Sequence, residues 1–194
     1  MMKKKIEYQR IWKRTKAMLL SPRKEWPGVH EEQAEERQLF REYLLPWAAA
    51  GMVCTLVLLL MRGRGLMAIG MAGINFAAAL TGWYVTYRLT REYLSGKVER
   101  AGQLALQLAT YGYGVYIGFS SLAAGFSPNF LGQLMEVGSL LCVHTLYVGL
   151  ETAHALNQKY RSNVLIIAAV LMIAVPAIVE RLLTILFRIP TLYA

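Results

Sequence analysis

The chain has 194 residues, 56% of them apolar, and a formal net charge of +9. All twelve acidic residues are Glu, which excludes chemistries built on Asp, such as an aspartyl phosphate or a DxD metal site. More than half of the chain lies in long apolar runs, which leaves no room for a separate soluble catalytic domain beside them.

The first forty or so residues are charged and divide in two. Residues 3–20 read as a basic amphipathic helix, with Tyr8, Ile11, Trp12, Thr15, Met18 and Leu19 sharing one face. Arg10, Lys13, Arg14 and Lys16 spread over its flanks and back. An apolar face carrying Trp and edged by cations suits a helix lying among lipid headgroups, so Tyr8, Ile11, Trp12, Lys13, Lys16, Met18 and Leu19 are expected at the membrane surface. The competing reading packs this helix on the protein's own loops. Ser21-Pro22 ends it. After Trp26-Pro27-Gly28 the charge inverts: Glu31, Glu32, Glu35, Glu36 and Glu42 face Arg37 and Arg41. This is a solvated face or a docking surface for a basic partner.

Five apolar runs follow, at about 44–61, 66–87, 104–126, 130–150 and 164–187. Each is about 18 residues or longer, enough to cross a hydrocarbon core of ~30 Å as helix. The fold expected is therefore all-α: a polytopic membrane protein with five transmembrane helices behind an amphipathic cytoplasmic head. The head spans 1–43, the bundle 44–189, and a short tail 190–194 lies outside. No cleavable signal peptide is expected, because the first run begins at Leu44 with no small-residue cleavage site behind it.

Charge sets the expected orientation. Eleven Lys and Arg in the head, four in the second loop and two in the fourth make seventeen on one side; Arg62, Arg64 and Arg188 make three on the other. The positive-inside rule then puts the head in the cytoplasm and the C-terminus outside. The expected partners are the bilayer and its anionic headgroups, with a protein partner or a second copy of the chain left open; the charge does not point to nucleic acid.

Polar groups inside apolar runs are the candidate site residues. In the fourth run Gln133, Glu136, His144, Tyr147, Glu151 and His154 fall within about 80° of one another at 100° per residue. A stripe that polar is expected to face the bundle interior, a water-filled cavity or an oligomer partner. Glu151 and His154 have the i, i+3 spacing of carboxylate-bridged dimetal bundles, but the further carboxylates such a site needs are lacking, so neither a metal nor another cofactor is expected. Asn75, Gln107, Tyr111 and Glu180 are candidate partners of the stripe. Gly114 and Gly118 form a GxxxG pair suited to close helix packing. Pro176 in the fifth run frees the carbonyl four residues back and is expected to kink its helix. Cys54 and Cys142 sit in separate apolar runs and read as small hydrophobes. The chain has no GxSxG, HExxH, P-loop or GxGxxG motif, and no enzymatic activity is expected.

The run Met18-Leu-Leu-Ser-Pro-Arg-Lys-Glu-Trp26, followed by Leu39-Phe-Arg-Glu-Tyr-Leu-Leu-Pro46, resembles the prokaryotic branch of the Yip-domain membrane proteins. Leu106-Gln-Leu-Ala-Thr-Tyr-Gly-Tyr113 and Leu146-Tyr-Val-Gly-Leu150 extend the resemblance across residues 12–187. It implies a five-span bundle with a cytosolic N-terminus in a bacterial cytoplasmic membrane. Eukaryotic relatives bind Rab GTPases and shape or sort membranes, but the acidic-aromatic motifs of those relatives are absent from this head. The chain also departs from the family pattern at Glu151-Thr-Ala-His154. Three functions stay open: organising membrane or recruiting a partner through the head, moving an ion or solute along the fourth helix, or serving as a structural subunit of a larger complex.

Overall fold

The computed structural model describes residues 8–33, 35–127, 129–153 and 156–189, without the side chains of Tyr8 and Arg10. Tyr8 as a surface contact, His154 of the polar stripe and the tail 190–194 lie outside what it describes. The described residues form helices and no strand: α1 (Tyr8–Leu20), α2 (Pro22–Glu31), α3 (Glu36–Met61), α4 (Leu66–Leu94), α5 (Ala101–Phe126), α6 (Phe130–Thr152) and α7 (Gln158–Leu186).

Four of them, α3, α4, α6 and α7, are long and apolar enough to cross a membrane. This is compatible with an integral membrane protein. The central helix α5 does not reach the same apolarity. It carries no charge across its 26 residues, but Gln103, Gln107, Tyr111, Tyr113, Tyr116 and several glycines dilute its hydropathy. Its setting explains that composition: α5 touches every other long helix, and fifteen of its residues are buried. A helix enclosed by protein needs small residues and satisfied polar groups where a lipid-facing one needs aliphatic surface.

The helices run further than the apolar runs. α3 begins at Glu36 and reaches the apolar run through a wide π turn at Phe40–Leu44, closed by Leu45 N–H donating to the Phe40 carbonyl. Pro46 sits just beyond. It lacks an N–H and its ring crowds the preceding turn, and widening that turn gives it room. The four-residue link after α3 turns on glycine: Gly63 has φ +74°, its N–H reaches the Leu60 carbonyl at 2.9 Å, and Arg64 N–H reaches Leu59 at 3.1 Å. This Schellman arrangement needs the left-handed conformation that glycine adopts freely.

The helix end of α5 near that link is capped by a side chain. Arg62 donates to the carbonyls of Gly125, at 3.1 Å, and Ser127. A cation on orphan carbonyls at a helix C-terminus complements the helix dipole as well.

Pro176 does not break α7, which stays helical through Leu186. The carbonyl it frees, that of Met172, accepts a hydrogen bond from the Tyr113 hydroxyl at 3.2 Å. Gly82 of α4 makes the room: a Cβ there would fall 2.6 Å from Pro176 Cγ and would also strike the Tyr113 hydroxyl. Three helices thus meet around one proline.

Candidate functional site

Three features concentrate chemistry: the junction between head and bundle, a polar cavity, and an apolar groove. The junction is built on Trp26. Its indole is fully buried, and its Nε1 donates to the Thr145 carbonyl of α6 at 3.0 Å. Gly149, one turn along α6, is the floor of this socket; a Cβ there would sit 2.6 Å from the indole. Tyr111 of α5 meets the ring edge-on, with centroids 5.9 Å apart, and His30 stacks on it at 5.2 Å. Burial of this one side chain stabilises docking by about 3–5 kcal/mol, the scale of a buried Trp truncated to Ala.

Polar groups close the socket. His30 contacts Gln107 Oε1 at 3.2 Å through Nδ1 and the Gly149 carbonyl at 3.0 Å through Nε2. Gln107 Nε2 donates to the carbonyls of Val29, at 2.5 Å, and Glu32, at 3.1 Å; Gln103 donates to Glu32 as well. Two glutamines of α5 therefore cap the C-terminal end of α2, adding side-chain donors to the Glu32 N–H that the Val29 carbonyl also accepts. Arg14 of α1 pairs with Glu25 at 3.1 Å and Glu32 at 2.8 Å, and lies over the Tyr111 ring at 5.4 Å. Burial alone would lower its pKa; Tyr111, then Glu32 and Glu25, outweigh burial and hold it above the ordinary arginine value. Thr15 and the Tyr43 hydroxyl share a hydrogen bond of 2.7 Å beside it. The head is thus fastened to the bundle through α1, α2, α5 and α6.

This placement corrects the expectation for α1 in part. Ile11, Thr15 and Met18 are buried against the bundle, so Ile11 and Met18 are not lipid contacts. Their apolar character is spent on the protein's own core. Trp12 and Leu20 remain 59% and 66% exposed, beside the exposed Lys13 and Lys16, with Leu19 between the two edges.

The polar stripe on α6 does not stay together. Ser139 Oγ donates back to the Glu136 carbonyl at 2.6 Å, and the helix tightens into i→i+3 turns from Val137 to Leu140 and Leu140 to Val143. Such back-bonding bends helices, and a uniform 100° projection does not hold across the break. Gln133, Glu136, His144 and Tyr147 are exposed on the chain's surface, and Gln133 and Glu136 also border a cavity. Glu151 pairs with Arg23 of the head at 3.2 Å, an exposed contact of little energetic weight.

The expected partners divide as well. Asn75 and Glu180 join Gln133 and Glu136 around a cavity of about 460 Å³ between α4, α5, α6 and α7, with Tyr116 and Ser120 on its α5 wall. Gln107 and Tyr111 belong to the head junction, away from this cavity. The glycine pair on α5 receives aromatic side chains: a Cβ at Gly114 would strike Tyr43, and Trp47 donates its Nε1 to the Gly114 carbonyl. Gly118 is open apart from Trp47 at 3.5 Å.

Beside Gly118 runs the groove, about 520 Å³, between α1, α3 and α5. Its walls are almost wholly apolar. Lys16 is its one charged lining residue, at the end nearest the head, and Cys54 and Ser121 lie deeper.

Among the described residues no group of three or more His, Cys or Glu side chains is placed to hold a metal ion. His30, Gln103, Arg14 and Gly149 lie far apart in the sequence and come together as one socket only in the fold. The signal available for it was the Ser-Pro-Arg-Lys-Glu-Trp run and the Gly149 that faces it. No protein-family model, curated protein or solved structure matches the chain.

Proposed function

We propose that the chain is a non-enzymatic, Yip-like integral membrane protein that organises the cytoplasmic leaflet through the outer edge of its head. The observation that carries this reading is the split of α1. One edge, Ile11 and Met18, is held by the bundle, while the adjacent edge presents Trp12 and Leu20 alongside Lys13 and Lys16. Exposed Trp and Leu ringed by lysine match an interfacial helix, and docking fixes that helix to the bundle at a set depth. The bundle is read with five spans, α5 being the protein-enclosed fifth, and with the head cytoplasmic. Its uncharged length and the alternation of basic loops support both. The exposed Glu31, Glu35 and Glu36, at the end of α2 and the start of α3, suit a basic partner.

Reconstitution into vesicles of phosphatidylcholine and phosphatidylglycerol tests this reading. The wild-type protein is expected to bias vesicle size toward higher curvature in electron micrographs, and the Trp12→Glu/Leu20→Glu variant to lose the effect while keeping its helical circular dichroism. Equal vesicle populations for the two proteins would refute it.

A second reading rests on the cavity of Asn75, Gln133, Glu136 and Glu180. Carboxylates around a polar space among spans are the means by which small transporters pass cations or protons. Glu136→Gln should then lower cation or proton flux in proteoliposomes at least tenfold; unchanged flux dismisses it.

A further inference from the structure

The groove beneath α1 has a shape and a charge that together specify an occupant. We propose that it holds one acyl chain of an anionic glycerophospholipid, with the phosphate at Lys16. The inference rests on the reading of α1 as an interfacial helix and names the lipid that this helix engages.

The walls supply the first part of that specification. Trp12, Leu19 and Trp47 form the upper part, and Gly118, Phe119 and Leu122 continue it downward. From Trp47 to Cys54 the α3 wall descends by roughly 10 Å at 1.5 Å per residue, so the groove extends well below the level of α1. The missing side chain at Gly118 keeps it open: only Trp47, at 3.5 Å, comes near the place of a Cβ. An apolar slot of this depth excludes polar ligands and suits a methylene chain, each buried CH₂ being favoured over exposure to water by about 0.8 kcal/mol.

The mouth supplies the second part. Lys16 lines the groove, no glutamate does, and the exposed Lys13 lies on the same helix one turn earlier. The indoles of Trp12 and Trp47 approach to 6.0 Å at this end. Tryptophan and lysine at the rim of an apolar slot match the glycerol and phosphate levels of a lipid. An apolar helix of another protein would find the slot but leave the cation at its rim unanswered. A zwitterionic lipid would satisfy the slot and gain little from the lysines.

Native mass spectrometry of the full chain, delipidated in mild detergent and titrated with phosphatidylglycerol or phosphatidylcholine, tests the proposal. The wild type is expected to hold one phosphatidylglycerol at least fivefold more readily than phosphatidylcholine. Gly118→Leu, which fills the groove, should abolish the adduct. Ala50→Phe, on the facing α3 wall, serves the same purpose should Gly118→Leu fail to fold. Lys16→Glu should retain lipid but lose the preference for the anionic headgroup. Bound phosphatidylglycerol should also slow alkylation of Cys54 in the wild-type groove. Undiminished adducts in the groove-filling variants, equal binding of the two lipids by the wild type, or a lipid-free dimer in place of the adduct would each overturn the proposal. Its failure is separable from that of the interfacial reading. Vesicle remodelling that survives in Gly118→Leu while phosphatidylglycerol adducts persist there sinks the groove alone. Remodelling that survives in Trp12→Glu/Leu20→Glu sinks the reading beneath it.

Discussion

The indole of Trp26 occupies the space that a side chain on Gly149 would need. A Cβ built on that glycine would lie 2.6 Å from two of the indole carbons. Head and bundle are therefore complementary at this point, and neither residue is replaceable independently of the other. Gly149→Val should expel the indole, whereas Gly149→Ala forces a smaller shift. The expected readout is trypsin cleavage at Arg23 and Lys24, slow in the wild type and faster by an order of magnitude or more in Gly149→Val. Trp26→Ala should give the same cleavage with the bundle still inserted, in keeping with a docking loss of about 3–5 kcal/mol.

Gln107 is buried and its amide donates to the last carbonyls of α2. Gln107→Leu keeps the volume but removes the amide that ties α5 to α2, leaving the Val29 carbonyl with the Glu32 N–H alone, the Glu32 carbonyl with Gln103 alone, and His30 Nδ1 without its Gln107 oxygen. The expected cost is about 1 kcal/mol of docking. Hydrogen exchange of the α2 amides should accelerate accordingly, while that of α7 stays as in the wild type. Uniform acceleration over the whole chain would instead mark Gln107 as a bundle residue.

Tyr113 answers the carbonyl that Pro176 leaves open. Tyr113→Phe should lower stability by about 1–2 kcal/mol, or roughly 2–8 °C in apparent Tm at the 2–4 °C per kcal/mol typical of this chain length. In the background Pro176→Ala, which restores the helical N–H, the hydroxyl loses its function, and the same Tyr substitution should cost markedly less. Additive losses in the double variant would contradict this pairing.

Much of this architecture was legible from residue order. Apolar length and hydropathy located α3, α4, α6 and α7, and Pro176 announced a free carbonyl that Tyr113 indeed accepts responsibility for. The polar stripe was not legible in the same way. Projection at a constant 100° per residue assumes an unbroken helix, and the Ser139 back-bond to Glu136 interrupts α6 in the middle of the stripe. The head illustrates a different limit. Periodicity marks Ile11, Trp12 and Met18 as one apolar face, but it carries no information about how that face is shared between bundle and solvent. That division is set by tertiary contacts, above all Trp26 in its socket and Arg14 between Glu25 and Glu32.

Arg62 offers a test at the opposite end of the bundle. Arg62→Ala leaves the carbonyls of Gly125 and Ser127 without their cation. The expected loss is about 1 kcal/mol, read as faster exchange confined to the last turn of α5 and the link into α6. Arg62→Lys should recover part of it, since one ammonium meets the dipole but does not reproduce the guanidinium fork.

The depth of α1 in the headgroup region is decisive. The most direct measurement is a nitroxide scan over positions 12–20 of the reconstituted full chain, with collision rates against oxygen and a water-soluble nickel chelate. Positions 12, 16 and 20 should sit at headgroup depth, 11 and 18 should be shielded from both collision partners, and the pattern should repeat with a period near 3.6 residues. A scan in which positions 12, 16 and 20 meet the nickel chelate as freely as a water-exposed loop would contradict it.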